Sequence, residues 1–214
     1  MKLYTYPSAP SPQRVHLLMA EKGIDIPSVL VDLRANEQLG ASYRTINPRC
    51  TVPALVLEDG TVISEVIAVC HYLEALYPAR PLFGTEPKER ALISEWDHRA
   101  ESECLIAIAE VLRNRSKAYK GRALPGALNL EQIPALAERG ETRIRAFFDV
   151  LEQQLAAQPF VAGKQFSMAD ITTYVAVGFA RWVKIEPSDS HPNLTHWRQQ
   201  LAARPAFQTD GEPR

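Results

Sequence analysis

A mixed α/β half followed by an all-helical half is the fold class this sequence predicts, and three observations carry it. Short apolar runs alternate with helical patterns as far as Tyr77, in the order βαβαββα. Pro78, Pro81, Gly84 and Pro87 then punctuate the chain, and no strand pattern returns after them. The expected boundaries are residues 1–78 for the first domain, 79–87 for a linker and 88–214 for the helical domain.

Lys2 to Tyr6 reads as a strand beginning almost at the first residue. Pro7-Ser8-Ala9-Pro10 is a rigid loop, and Ser11-Pro12 is a helix start, with Ser11 expected as N-cap and Pro12 at the first helical position. That helix should stop at Gly23. Ser28 to Leu33 is the second strand, and the helix between the two favours parallel pairing. Glu37 to Ile46 reads as a short irregular helix. Ala54 to Leu57 and Thr61 to Ile63 are strands joined as a hairpin at Asp59-Gly60, and a helix opens at Ser64-Glu65. Proline at the head of the third strand removes a ladder donor, so Val52 should present backbone groups to something other than the sheet, beside a non-trans Val52-Pro53 bond.

In the second half, a long helix is expected from about Lys88 to Arg115, then a loop rich in Gly, Pro and Ala. Glu141 to Ala157 places Ile144, Phe147, Phe148, Leu151 and Leu155 at helical spacing, a core stripe. Phe166-Ser167-Met168-Ala169-Asp170-Ile171 is a helix-start signature. Ser167 caps, Asp170 returns a bond to the Ser167 backbone, and Phe166 staples onto Ile171. The helix that follows is rich in β-branched residues and needs burial to be stable. A last amphipathic helix from about Asn193 carries Leu194, Trp197 and Leu201 and ends before Pro205.

With 214 residues, 46% of them apolar, the chain can build a sizeable core, and a net charge of -1 without basic or acidic blocks argues for a small-molecule ligand over nucleic acid or a membrane surface. Cys50, Cys70 and Cys104 form no metal-ligand spacing, and their odd number argues against a disulfide framework. No metal, no membrane association and a cytoplasmic location are the expectations, given no leader pattern and no long apolar run.

The chemistry concentrates between Asn47 and Tyr72. An acidic residue at a helix mouth holds an ammonium group, while free N–H groups there and the helix dipole favour an anion. With a bare strand edge at Val52 beside Glu65, the pair suits a short peptide with an amino-acid head. NPRCTVPAL, EDGTVISE and IAVCHYLEALYP also resemble the glutathione-binding half of the glutathione transferase family, and FSMADI resembles that family's capping signature in its helical domain. The resemblance covers the whole chain and implies a bacterial-type cytosolic enzyme with a thioredoxin-like first domain and a serine-type active-site loop. Two positions depart: Cys50 stands where Gly is usual, and Val66 where a Ser helps bind the γ-glutamyl carboxylate, leaving only the Val66 backbone N–H.

What the resemblance implies is a transferase, of the detoxifying kind, that takes glutathione as co-substrate and conjugates it to a hydrophobic electrophile. Lowering a thiol pKa of ~8.5 by about two units needs ~2.7 kcal/mol of preferential thiolate stabilisation. Ser11, where hydroxyl, N–H groups and helix dipole converge, is the candidate donor; Ser8 competes, a backbone N–H is the third choice, and simple capping is the bland alternative for Ser11. Ala9 falls on the position of the family's catalytic Ser or Cys, which excludes a cysteine nucleophile in this loop. Val52, Pro53, Glu65 and Val66 are expected at the peptide, and Gln38 near its glycine carboxylate unless it is a surface residue. The electrophile is expected against the long helix, where Glu103, Glu110, Arg113, Asn114 and Tyr119 are candidate liners. A two-fold homodimer is implied by the family. The rival readings are a binding or regulatory protein without turnover, and a glutathione-dependent isomerase, dehalogenase or peroxidase.

Overall fold

The computed structural model describes residues 1–208. Two compact units divide them, one of Met1–Arg80 with Pro125–Leu128 and one of Pro81–Leu124 with Asn129–Gln208. The last six residues of the expected helical domain, 209–214, lie outside the described residues.

In the first unit, strands β1 (Lys2–Thr5), β2 (Ser28–Leu30), β3 (Ala54–Val56) and β4 (Val62–Ile63) form one sheet in the order β2-β1-β3-β4. β1 and β2 are parallel, with Leu3 opposite Ser28, because the helix between them, α1 (Pro10–Lys22), carries the chain back to the starting edge. β3 runs antiparallel to β1, with Leu3 opposite Leu55, and the Asp59-Gly60 turn folds β4 antiparallel onto β3, Gly60 taking a φ of 86°. This is the mixed sheet expected of a thioredoxin-like domain.

Strand alternation assigns the two faces. Leu3 and Thr5 point one way and are 0% and 1% exposed, and the Thr5 Oγ1 meets His16 Nε2 of α1 at 2.8 Å. Val15 and Leu18 of α1 with Val69, Cys70 and Leu73 of α3 (Val66–Leu76) complete that core. Tyr4 points the other way, and with Tyr6, Leu33 and Ile46 it packs on a cluster of Val31, Tyr43 and Val52. A 3₁₀ turn, Glu37–Leu39, and the single helical turn α2 (Ala41–Arg44) cover this side, where the sequence predicts an irregular helix.

One expectation about α1 is corrected. Its N-cap is Ala9, extended at φ -83° and ψ 143°, so Ser11 lies inside the first turn, flanked by Pro10 and Pro12, and caps nothing. Proline is tolerated at every position of a first turn because the missing N–H has no intrahelical partner there, so Pro10 opens the helix one residue before the serine and Ala9 takes the cap. The other end is as expected: Gly23 is left-handed at φ 68°, and Ile24 N–H closes on Met19 O at 2.8 Å.

The second unit is helical. α4 (Pro87–Arg99) passes through a π-helical segment, Ala100–Leu105, into α5 (Ile106–Arg115), so the expected long helix is continuous with a wider turn in its middle. α6 (Pro134–Ala157) begins seven residues before the expected Glu141. At Gly140, α6 lies tight against α5: a Cβ there would sit 2.7 Å from Ala107 O and 2.8 Å from Val111 Cγ2. α7 (Met168–Ala180) starts at the capping box and is buried over most of its length. Asp170, 0% exposed, accepts from Ser167 N–H (3.0 Å) and Oγ–H (3.1 Å), and its other oxygen accepts from Val161 N–H (2.9 Å) and Trp197 Nε1–H (3.1 Å). Phe166 packs edge-on against Phe160 and Phe207. α8 (Pro192–Ala202) buries Leu194, Trp197 and Leu201 as its spacing predicts.

Candidate functional site

Topology alone brings the candidate residues of the first unit to one end of its sheet. β1, β2 and β4 all run toward that end and β3 starts from it, so Ser8 and Ser11 follow β1, Gln38 follows β2, Val52 precedes β3 and Glu65 follows β4. Ligands of open α/β sheets collect beyond the carboxyl ends of the strands for this reason.

The main-chain edge at Val52 is held from behind. Tyr43, 5% exposed, donates its hydroxyl to Thr51 O at 2.6 Å, and Asn47, 2% exposed, donates Nδ2–H to the same oxygen at 2.8 Å. Asn47 Oδ1 also accepts the Arg49 N–H at 3.1 Å. Burial holds the Tyr43 hydroxyl neutral, its pKa pushed up to about 12. The Val52-Pro53 peptide is cis, and neither the N–H nor the C=O of Val52 has a backbone partner among the described residues. Cys50 takes a left-handed φ of 57°, the conformation that favours glycine, and its buried thiol lies 3.6 Å from Pro48 O. The cysteines are all buried and free, and burial pushes the Cys104 thiol far up.

At the start of α1 the donors are few by construction. Pro10 and Pro12 carry no N–H, Gln13 donates to Ala9 O and Ala9 N–H to Tyr6 O, which leaves the Ser11 N–H as the free donor of the first turn. Its hydroxyl has no partner either among the described residues, and the first turn carries no acidic side chain. Ser8, in the loop before, is exposed.

Glu65 is the N-cap of α3, extended at φ -105° and ψ 135°, and makes no side-chain cap bond. Its carboxylate is instead 2.7 Å from Arg49 Nη2, with both side chains more than half exposed. The next residue, Val66, is buried. Gln38 is no surface residue: it is 7% exposed, and its Oε1 is buried without a partner. Arg14 is buried in α1, in keeping with an anchoring role.

The expected electrophile liners of the second unit are mostly engaged in holding that unit together. Glu110 takes Arg139 and Arg143 at 2.9 and 3.1 Å, and Glu103 pairs with Arg99. Arg143 also caps Ser102 O, a carbonyl inside the π-helical segment. Arg113 donates to Arg122 O and Leu124 O with its guanidinium 4.5 Å over the Tyr119 ring, and Asn114 Oδ1 accepts Ile133 N–H. Trp96 and Trp197 are core, whereas Trp182 is 48% exposed against Phe179.

Sequence reasoning missed three residues of the site. Asn47-Pro48 signals a turn, so the anchoring role of Asn47 was within reach; nothing local marks Tyr43 or the placement of Arg49 against Glu65. Among the described residues no cluster of His, Cys, Asp or Glu is suited to a metal ion, and no helix is long and apolar enough to cross a membrane.

Known proteins resemble this chain in sequence and fold. The family model for the N-terminal domain of glutathione S-transferases matches residues 9–76, and the one for their C-terminal domain matches residues 106–205. Glutathione S-transferase 2 of Saccharomyces cerevisiae is 31% identical over 211 residues, which span 96% of this chain and 87% of that protein. A glutathione S-transferase domain-containing protein of Marinobacter aquaeolei superposes with a TM-score of 0.87 at 33% identity, covering 97% of this chain and 100% of the other. A glutathione transferase homologue from sulfitobacter, solved with bound glutathione, superposes with a TM-score of 0.80 at 26% identity, over 97% and 94% of the two chains.

Proposed function

Because the chain belongs to the glutathione S-transferase family, we propose that it binds glutathione at the end of the sheet described above, stabilises the thiolate and adds it to a hydrophobic electrophile. The observation that carries this reading is the Val52 main chain, free of backbone partners among the described residues and held in place through the doubly bonded Thr51 carbonyl. An extended peptide pairs with such an edge through its own backbone, as an added strand does. The glutathione cysteine then lies along Val52 and its γ-glutamyl ammonium meets the Glu65 carboxylate. Gln38 serves the glycine end, its amide NH2 donating to the carboxylate and its unpaired Oε1 accepting the glycine N–H.

The thiolate falls to Ser11. Its N–H and hydroxyl are the free donors at the mouth of α1, a 13-residue helix, and both favour the charged sulfur over the neutral thiol. Ser8 lacks the helix end, and Ala9 spends its N–H on Tyr6. A two-fold homodimer and a cytoplasmic location are part of the same proposal.

Retention on immobilised glutathione tests the first step, and conjugation of a panel of electrophiles tests the second. Ser11→Ala should lower turnover at saturating glutathione and raise the pH at which the bound thiol ionises, while Ser8→Ala should leave both unchanged. Binding without conjugation of any electrophile would favour a carrier or regulatory role. Sedimentation at micromolar concentration tests the dimer, a 23.9 kDa species refuting it.

A further inference from the structure

The head of the peptide proposed to bind here is a free α-amino acid, an ammonium and a carboxylate on one carbon. Glu65 answers only the ammonium. The Val66 side chain beside it is an aliphatic group and offers the carboxylate no hydrogen bond. A cation beside the helix mouth would supply the interaction the missing hydroxyl does not, and the structure has one in place: the Arg49 guanidinium, 2.7 Å from the Glu65 carboxylate.

The geometry points to Arg49 as the residue that receives the γ-glutamyl carboxylate, working with the Val66 N–H at the mouth of α3; this rests on the glutathione reading above. Arg49 comes from a fixed backbone. Its N–H is bonded to Asn47 Oδ1 at 3.1 Å, and Gly126 lies so close behind that a Cβ there would be 3.1 Å from the Arg49 carbonyl oxygen. The side chain itself is 64% exposed and has the Glu65 contact as its partner, so nothing else needs to be broken for it to turn. Exposed ion pairs of this kind are weak and exchange easily. In the free protein Arg49 and Glu65 neutralise one another. With the zwitterion between them, each keeps an opposite charge: Glu65 holds the ammonium, Arg49 forms a charge-assisted and potentially bidentate bond to the carboxylate, and the uncapped N–H groups of an 11-residue helix face the same anion.

Calorimetric titration of wild type and Arg49→Gln with two peptides decides it. One is glutathione, the other γ-aminobutyryl-cysteinyl-glycine, which keeps the amine, thiol and glycine end but lacks the α-carboxylate. Wild type should bind glutathione about tenfold or more tighter than the analogue, the size of effect a hydrogen bond to a charged group gives. Arg49→Gln should lose most of that preference by weakening on glutathione while binding the analogue as wild type does. Unchanged discrimination in Arg49→Gln overturns the role of Arg49 and leaves the site standing, and so does tighter binding of glutathione, which would make Arg49 a competitor for Glu65. Wild type that binds neither peptide overturns the glutathione reading itself.

Discussion

Asp170→Ala should be the most damaging single change in the second unit, by an amount that depends on pH. The carboxylate accepts the N–H groups of Val161 and Ser167 and the Trp197 indole N–H. Truncation leaves those buried donors without acceptors, and each costs about 1–3 kcal/mol, so a loss of ~3 kcal/mol is the low end. Against a typical total of roughly 5–15 kcal/mol that is a large fraction. Burial also pushes the Asp170 pKa up from 3.8 to about 6, so the folded chain holds a proton that the unfolded chain has released between those values. The sign follows: this contribution is present in acid and is lost as pH rises through about 6. From pH 5 to 7.5 it amounts to roughly 1.4 kcal/mol, one pKa unit's worth. Urea unfolding of both proteins at those two pH values reads it, through midpoints at constant m-value. The cost of Asp170→Ala should be larger at pH 5 than at pH 7.5. A cost below about 1 kcal/mol, or one that grows toward pH 7.5, would refute the argument and show an ordinary ionised cap.

Gly140→Ala should destabilise by about 1–3 kcal/mol, since overlap with the Ala107 carbonyl and Val111 outweighs the helix-propensity gain of ~1 kcal/mol; a lower thermal midpoint is the readout. Tyr43→Phe removes one of the two bonds to Thr51 O, and with Asn47 still in place it should cost ~1 kcal/mol of stability. The same variant should raise KM for glutathione several-fold while kcat at saturation stays near wild type, because the hydroxyl acts on the position of Val52 and not on the thiol. Glu65→Gln should weaken glutathione binding about tenfold, by calorimetry, for loss of a charge-assisted bond to the ammonium.

What the sequence determined by itself is whatever is settled within a few residues. The Gly23 stop, the Asp59-Gly60 turn and the Ser167/Asp170 box each depend on side chains and backbone at most five positions apart, and each stands as read. Glu65 at the head of α3 was legible for the same reason. Local rules failed where two local answers compete or where the deciding neighbour is far along the chain. Ser11 and Pro10 both start helices well, and which one wins depends on how the chain leaves β1. Gly140 breaks helices in isolation and is kept in α6 by a backbone more than thirty residues away that no longer side chain would allow so near. Tertiary structure alone set Tyr43 behind Thr51 and Arg49 against Glu65, because those contacts exist only once the connection from β2 to β3 has folded back on itself and the sheet has brought it beside the end of β4.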